Sequence, residues 1–219
     1  MGKKNKLGRI EDVERFPNVI QYVDFEKEHE LKGVWSTVEF ANANPITLEL
    51  ACGKGEYSLG LAKKYPNRNF VGIDIKGPRL WVGAKQALDE NIGNVRFLRA
   101  FIDHLENYFS TNEVEEIWIP FSDPYLKKAR KRLTSPKFLD IYKSILKPGG
   151  VIHVKTDSKV LYEYSLKVIN KENLKIIEKI DDVYHEAPEH ELLTSIQTYY
   201  EKMHLKEGKT IHYVSFRLN

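Results

Sequence analysis

The chain has 219 residues, 42% of them hydrophobic, and a net charge of +3, which suits one domain, or one domain with an arm, around a sizeable core. Its single cysteine, Cys52, excludes an internal disulfide and fits a reducing interior, so a cytoplasmic protein is expected. No apolar run reaches the ~20 residues of a membrane helix, and the basic start MGKKNKLGRI lacks the apolar core of a secretory signal.

Residues 1–44 read as an N-terminal arm, basic and partly mobile, with weak periodicity. KKNKLGR is short, polar and terminal, and is expected to be mobile. Phe16, Tyr22, Phe25 and Trp35 predict that the rest of the arm packs on something. NANP then punctuates the start of a regular pattern over 45–219. ITLELA reads as a buried strand, EYSLGLAKKYP as a helix ended by Pro66, and NFVGIDI as a second strand. GPRLWVGAKQALDENI reads as a helix with Pro78 in its first turn and Gly93 past its end. The strands NVRFLRA and EEIWIPF follow, then the helix SPKFLDIYKSILKPGG, the strand VIHVKTD and the helix KVLYEYSLKVINKEN. This βαβ rhythm implies a parallel sheet covered by helices on both faces. The late segments LKIIEKIDDVY and KTIHYVSFRL predict a closing antiparallel hairpin, and the polar stretch between them shows no regular period.

The chemistry gathers at predicted strand ends. LELACGKGEY runs a strand through Gly53 and Gly55 into a helix, where the backbone can approach a ligand. The dinucleotide fingerprint is not completed, because residue 58 is serine. Glu49 stands just before the turn: it would repel a pyrophosphate and suit a cation, unless it simply faces solvent. Asp74 ends the second strand about 20 residues on, where an acid accepts ribose hydroxyls. Gly turn and acid together favour a nucleoside-bearing cofactor. Asp123 ends the fourth strand in PFSDPY, and Pro124 stiffens the exit. The cations Lys127, Lys128, Arg130, Lys131 and Arg132 follow, either as a ramp for a polyanion or as a solvated surface loop. Thr156 and Asp157 end the fifth strand. His153 reads as a core residue, Cys52 as unreactive, and no zinc spacing supports a metal.

FSDPY…KKARKRLT, KPGGVIHVKTD…LYEYSL and the late Thr198-x-x-Glu201 resemble the bacterial tRNA (guanine-N7-)-methyltransferases from about Leu48 to the C-terminus. The resemblance implies a Rossmann-like, class I S-adenosylmethionine-dependent methyltransferase fold, α/β, with a seven-stranded, mostly parallel sheet. It implies methyl transfer to N7 of a guanosine in the tRNA variable loop, by a monomer or homodimer. It matches Glu49, Gly53, Gly55 and Asp74 to cofactor-binding positions, and Asp123 to the catalytic aspartate. Lys127, Asp157, Thr198 and Glu201 match substrate positions. Phe101 stands where the family has a polar residue near the adenine, so the Ile102 amide is expected to serve there. Ala51 replaces the first turn glycine, Tyr125 a tryptophan, and the basic loop is two residues shorter and lacks a histidine. Ala51, Phe101 and the shortened loop motivate one rival, a non-catalytic RNA-binding protein that keeps the fold. A small-molecule methyltransferase or a nicotinamide enzyme is the other rival; the basic loop and the incomplete fingerprint argue against them.

Overall fold

The computed structural model describes residues 6–22, 24 and 26–218. The expectations of mobility for Lys3 to Asn5 and of packing for Phe25 lie outside the described residues. The fold is α/β, with eight strands among the described residues, mostly parallel, closing in an antiparallel hairpin. The chain divides into two compact units, Met1–Ser110 and Thr111–Asn219.

In the first unit four parallel strands, β1 (Val19–Ile20), β2 (Ile46–Leu50), β3 (Asn69–Ile73) and β4 (Val95–Leu98), lie in the order β1-β4-β3-β2. Every residue of β2 and β3 is buried, as parallel strands covered on both faces require. The helices are α1 (Lys6–Arg15), α2 (Glu56–Lys64) and α3 (Gly77–Asp89). The arm thus supplies an element that periodicity did not reveal: β1, only two residues long, brings the expected seven strands to eight. It pairs Val19 with Phe97 and Ile20 with Leu98 on β4. Helix α1 fully buries only Val13, which explains its faint sequence signal. Its hold is tertiary. Trp81 Nε1 on α3 donates to Asp12 at 2.8 Å, and the Arg9 guanidinium lies 4.6 Å from the Trp81 ring centre. Trp35, expected to pack, is fully buried, donates to the Tyr108 carbonyl at 2.7 Å and stacks on Phe109.

The second unit orders its strands β5 (Val114–Pro120), β6 (Leu146–Thr156), β8 (His212–Arg217) and β7 (Lys175–Ile180). β5 and β6 are parallel; β8 runs antiparallel to both β6 and β7, making the terminal hairpin. Helix α4 (Pro136–Ile145) ends five residues before its expected Gly stop, and LKPGG opens β6 instead. Helix α5 (Lys159–Lys171) follows as expected. The polar stretch 185–208 is more ordered than its pattern indicated. It carries the second half of α6 (Val183–Glu186), then α7 (Glu191–Thr194) and α8 (Tyr199–Lys206). Side-chain caps compensate for the missing period: Asp182 accepts from the Tyr184 and His185 amides, and Thr198 from the Glu201 amide. Among the described residues no helix is long and apolar enough to cross a membrane.

Candidate active site

In the first unit, the turn between β2 and α2 is left-handed at three points, Ala51, Gly53 and Gly55, with φ of 54°, 58° and 70°. Gly55 is required by packing, because a Cβ there would stand 2.4 Å from Phe97 Cε1. Gly53 faces the opposite situation: nothing lies within 4 Å of where its Cβ would be. The turn therefore presents bare backbone to open space at the carboxyl end of a parallel strand, where ligands bind in this fold class.

Two acids are built into that turn. Asp74, 8% exposed, accepts from the Gly53 amide at 3.0 Å and from the Lys76 amide at 2.8 Å. A carboxylate has about four acceptor sites, so ribose hydroxyls can still be received. Glu49, expected to meet a cation or solvent, is 3% exposed, so the solvent alternative fails. Its Oε2 accepts from the Ser58 amide at 2.7 Å and from the Ser58 hydroxyl at 2.6 Å. Burial raises its carboxyl to about 8 against the pull of both bonds. Ser58 is the residue that breaks the dinucleotide fingerprint, so the apparent defect is the partner that Glu49 needs. Cys52 is buried, and burial with the charges of Glu49 and Asp74 lifts its thiol far up, which leaves it unreactive. Phe101, 42% exposed, caps a 3-10 turn that opens at Ile102. A cavity of about 380 Å³ borders Phe101 and Ile75. Open backbone at Gly53, two acids and this cavity fit the adenosyl-bearing cofactor that the sequence pointed to.

In the second unit, Asp123 follows β5 on an unusual backbone. Phe121 and Tyr125 are both left-handed, with φ of 52° and 39°, a conformation that bulky residues rarely adopt. The exposed Asp123 carboxylate accepts from the Tyr125 amide at 3.0 Å, an Asx-type turn. Lys127, Lys128, Arg130 and Lys131 are exposed. Arg132 is not, and here the expected row of five outward cations needs correction. It is 5% exposed, donates from Nε to the Pro124 carbonyl at 2.8 Å and lies 4.4 Å from the Tyr164 ring centre. Its planar fork is committed to the inside of the Asp123 loop.

Asp157 pairs with His204 at 3.3 Å and with Lys209 at 3.4 Å. Thr198 and Glu201, matched to substrate positions, are also turned inward. Glu201 is fully buried; its carboxylate pairs with the buried Lys155 and accepts from the Tyr184 hydroxyl at 2.8 Å. Thr198 accepts from the Glu201 amide at 3.0 Å and starts α8. Thr-x-x-Glu is thus also a helix-capping pattern. Lys155 went unnoticed in the sequence, although a lysine inside an apolar strand signals a buried partner. His153 is a packing residue, stacked on Trp118 at 4.1 Å and bonded to the Tyr213 hydroxyl. Among the described residues no group of three or more His, Cys, Asp or Glu could hold a metal.

The methyltransferase family model described as "Putative methyltransferase" matches residues 43–214. A tRNA (guanine-N(7)-)-methyltransferase of Christiangramia forsetii is 47% identical over the full length of both chains. One from Porphyromonas gingivalis is 46% identical over 94% of this chain and 86% of its own. Among solved structures, the 16S rRNA methyltransferase KamB superposes with a TM-score of 0.64 at 15% identity, over 86% of this chain and 94% of its own. That likeness speaks for the fold alone, the Rossmann-like fold of class I methyltransferases. Identity of this extent, carried from end to end, leaves one assignment: the chain belongs to the tRNA (guanine-N7-)-methyltransferase family.

Proposed function

We propose that this protein methylates N7 of a guanosine in tRNA with S-adenosylmethionine, and that the guanosine lies in the variable loop. The carrying observation is the 47% identity to a tRNA (guanine-N(7)-)-methyltransferase over the whole chain. The methyltransferase domain is residues 45–219, with 1–44 as an arm. The setting is the cytoplasm, the working unit a monomer or homodimer, and no metal takes part.

When bound, the cofactor supplies an electrophilic methyl group on a sulfonium. Gly53 and Gly55 admit it to the turn, Asp74 accepts from its ribose, and Phe101 with the Ile102 amide receives the adenine. Glu49, held by Ser58, lies at the end of β2 just before that turn, where a cation would favour its ionised form. Guanine N7 carries an in-plane lone pair and no proton, so no general base is required. Asp123 instead accepts from the N1–H and amino group of the guanine and so orients the ring. Its charge also offsets the positive charge that the purine gains. Lys127, Lys128, Arg130 and Lys131 hold tRNA phosphates, a grip that weakens with salt. Arg132 supports that loop from inside. Asp157 acts on the substrate side. Thr198 and Glu201 serve the substrate by fixing α8 and Lys155.

The test is transfer of isotopic methyl from S-adenosylmethionine to unmodified tRNA, followed by mapping of the labelled nucleotide. One labelled variable-loop guanosine is expected. A label elsewhere overturns the position. No label in a protein that binds cofactor and tRNA returns the non-catalytic reading.

A further inference from the structure

We infer that the N-terminal arm is itself part of the cofactor site, with β1 placing Gln21 and Tyr22 as a wall of the adenine subsite. This rests on the functional reading above and extends it to residues outside the methyltransferase motifs. The cavity of about 380 Å³ is lined by Glu14, Gln21, Tyr22, Ile75, Arg99 and Phe101, all in the first unit. That volume falls within the usual range of small-molecule sites.

Its position follows from the strand order. Ile75 lies just past β3, Phe101 past β4, and Gln21 and Tyr22 past β1. These three strands are adjacent and parallel, so their carboxyl ends open on the same side. Ile75 also follows Asp74, the ribose acceptor of the functional reading. The ladder extends to the cavity's edge, where the Arg99 amide donates to the Ile20 carbonyl at 2.9 Å. It sets Tyr22 against Phe101, ring centres 5.9 Å apart and planes at 81°.

The chemistry suits a purine. Tyr22 and Phe101 offer aromatic surface, and Ile75 an apolar one. Gln21 is steadied by donating from Nε2 to the Val13 carbonyl at 2.8 Å. Its primary amide has a second N–H and an oxygen, matching the acceptor and donor of an adenine edge. Arm docking and cofactor binding are thereby one equilibrium: a cofactor that needs Tyr22 also holds β1 on β4.

The experiment is calorimetric binding of S-adenosylhomocysteine to the full chain, Tyr22→Ala and Tyr22→Phe, with amide hydrogen exchange of residues 19–22 in the wild type. Tyr22→Ala is expected to bind about tenfold more weakly, with Tyr22→Phe restoring most of the affinity. Ligand is expected to slow exchange at 19–22. Wild-type affinity in Tyr22→Ala overturns the inference while leaving the functional reading intact. No binding to the wild type overturns the functional reading itself. Should Tyr22→Ala fail to fold, exchange decides: slowing supports the inference and unchanged exchange overturns it.

Discussion

The turn after β2 and the loop after β5 both deliver acids from the ends of parallel strands, yet they are built in opposite ways. The first buries its carboxyls and satisfies them with its own backbone: Ser58 serves Glu49, while the Gly53 and Lys76 amides serve Asp74. The second leaves Asp123 and four cations in the open and, of its charged side chains, turns Arg132 inward, where it grips the loop from beneath. A buried acid is tuned by its surroundings, and an exposed one is aimed by them. The first arrangement suits a small ligand that fills a turn, and the second a large polyanion that arrives from solvent.

Four measurements would break or sharpen that contrast. Asp123→Ala carries the largest expected effect, a loss of about 10²–10³ in methyl transfer with S-adenosylhomocysteine affinity kept. A comparable loss of that affinity would show that the loop is not separate from the cofactor's support. Next is Arg132→Ala. Removing a buried charged donor from the Pro124 carbonyl is expected to cost about 2–3 kcal/mol in denaturant unfolding. The triple variant Lys127→Ala/Lys128→Ala/Arg130→Ala should leave stability unchanged. It should flatten the slope of log affinity for tRNA against log salt by about 2. Equal stability of both variants would deny Arg132 its inner role.

Glu49 supplies the third measurement. Its folded value of about 8 stands above the ordinary 4.5, so between them the folded state holds a proton that the unfolded state has lost. Stability is therefore expected to fall as pH rises from about 4.5 to about 8 and to level off beyond. In the cofactor-free protein the decline should exceed that of Glu49→Gln by more than about 1 kcal/mol. Parallel pH profiles for the two proteins would remove the buried, protonated Glu49 from the account. Smallest is Ala51→Gly. An alanine at φ 54° is strained, and glycine there is expected to stabilise the protein by roughly 1 kcal/mol in thermal unfolding. A lower melting temperature would mean that the Ala51 methyl packs better than its backbone fits.

The strands at 46–50, 69–73, 95–98 and 114–120 were legible because each is a short apolar run bounded by turn residues. The acids Glu49, Asp74 and Asp123 were legible because they break such runs at the ends. What the runs hid was direction within the folded chain. Arg132 looks like its four cationic neighbours in sequence, and only the Pro124 carbonyl and the Tyr164 ring make it different. Ser58 looked like a missing glycine. Glu201 was matched to a substrate position, and only the folded chain shows it buried against Lys155 of β6.

By itself the sequence determined the alternation of strands and helices, the glycine turn, the basic run and, through long matched motifs, the family. These depend on local period and residue type, which neighbours along the chain carry. Tertiary structure alone decided that residues 6–22 form a helix and an edge strand, and that Tyr22 meets Phe101 edge-on at the wall of a cavity. It also decided which charges turn inward. Those outcomes depend on partners such as Trp81, Phe97 and Lys155 that lie far away in sequence, and the free energy of burying a group is fixed by what it meets there.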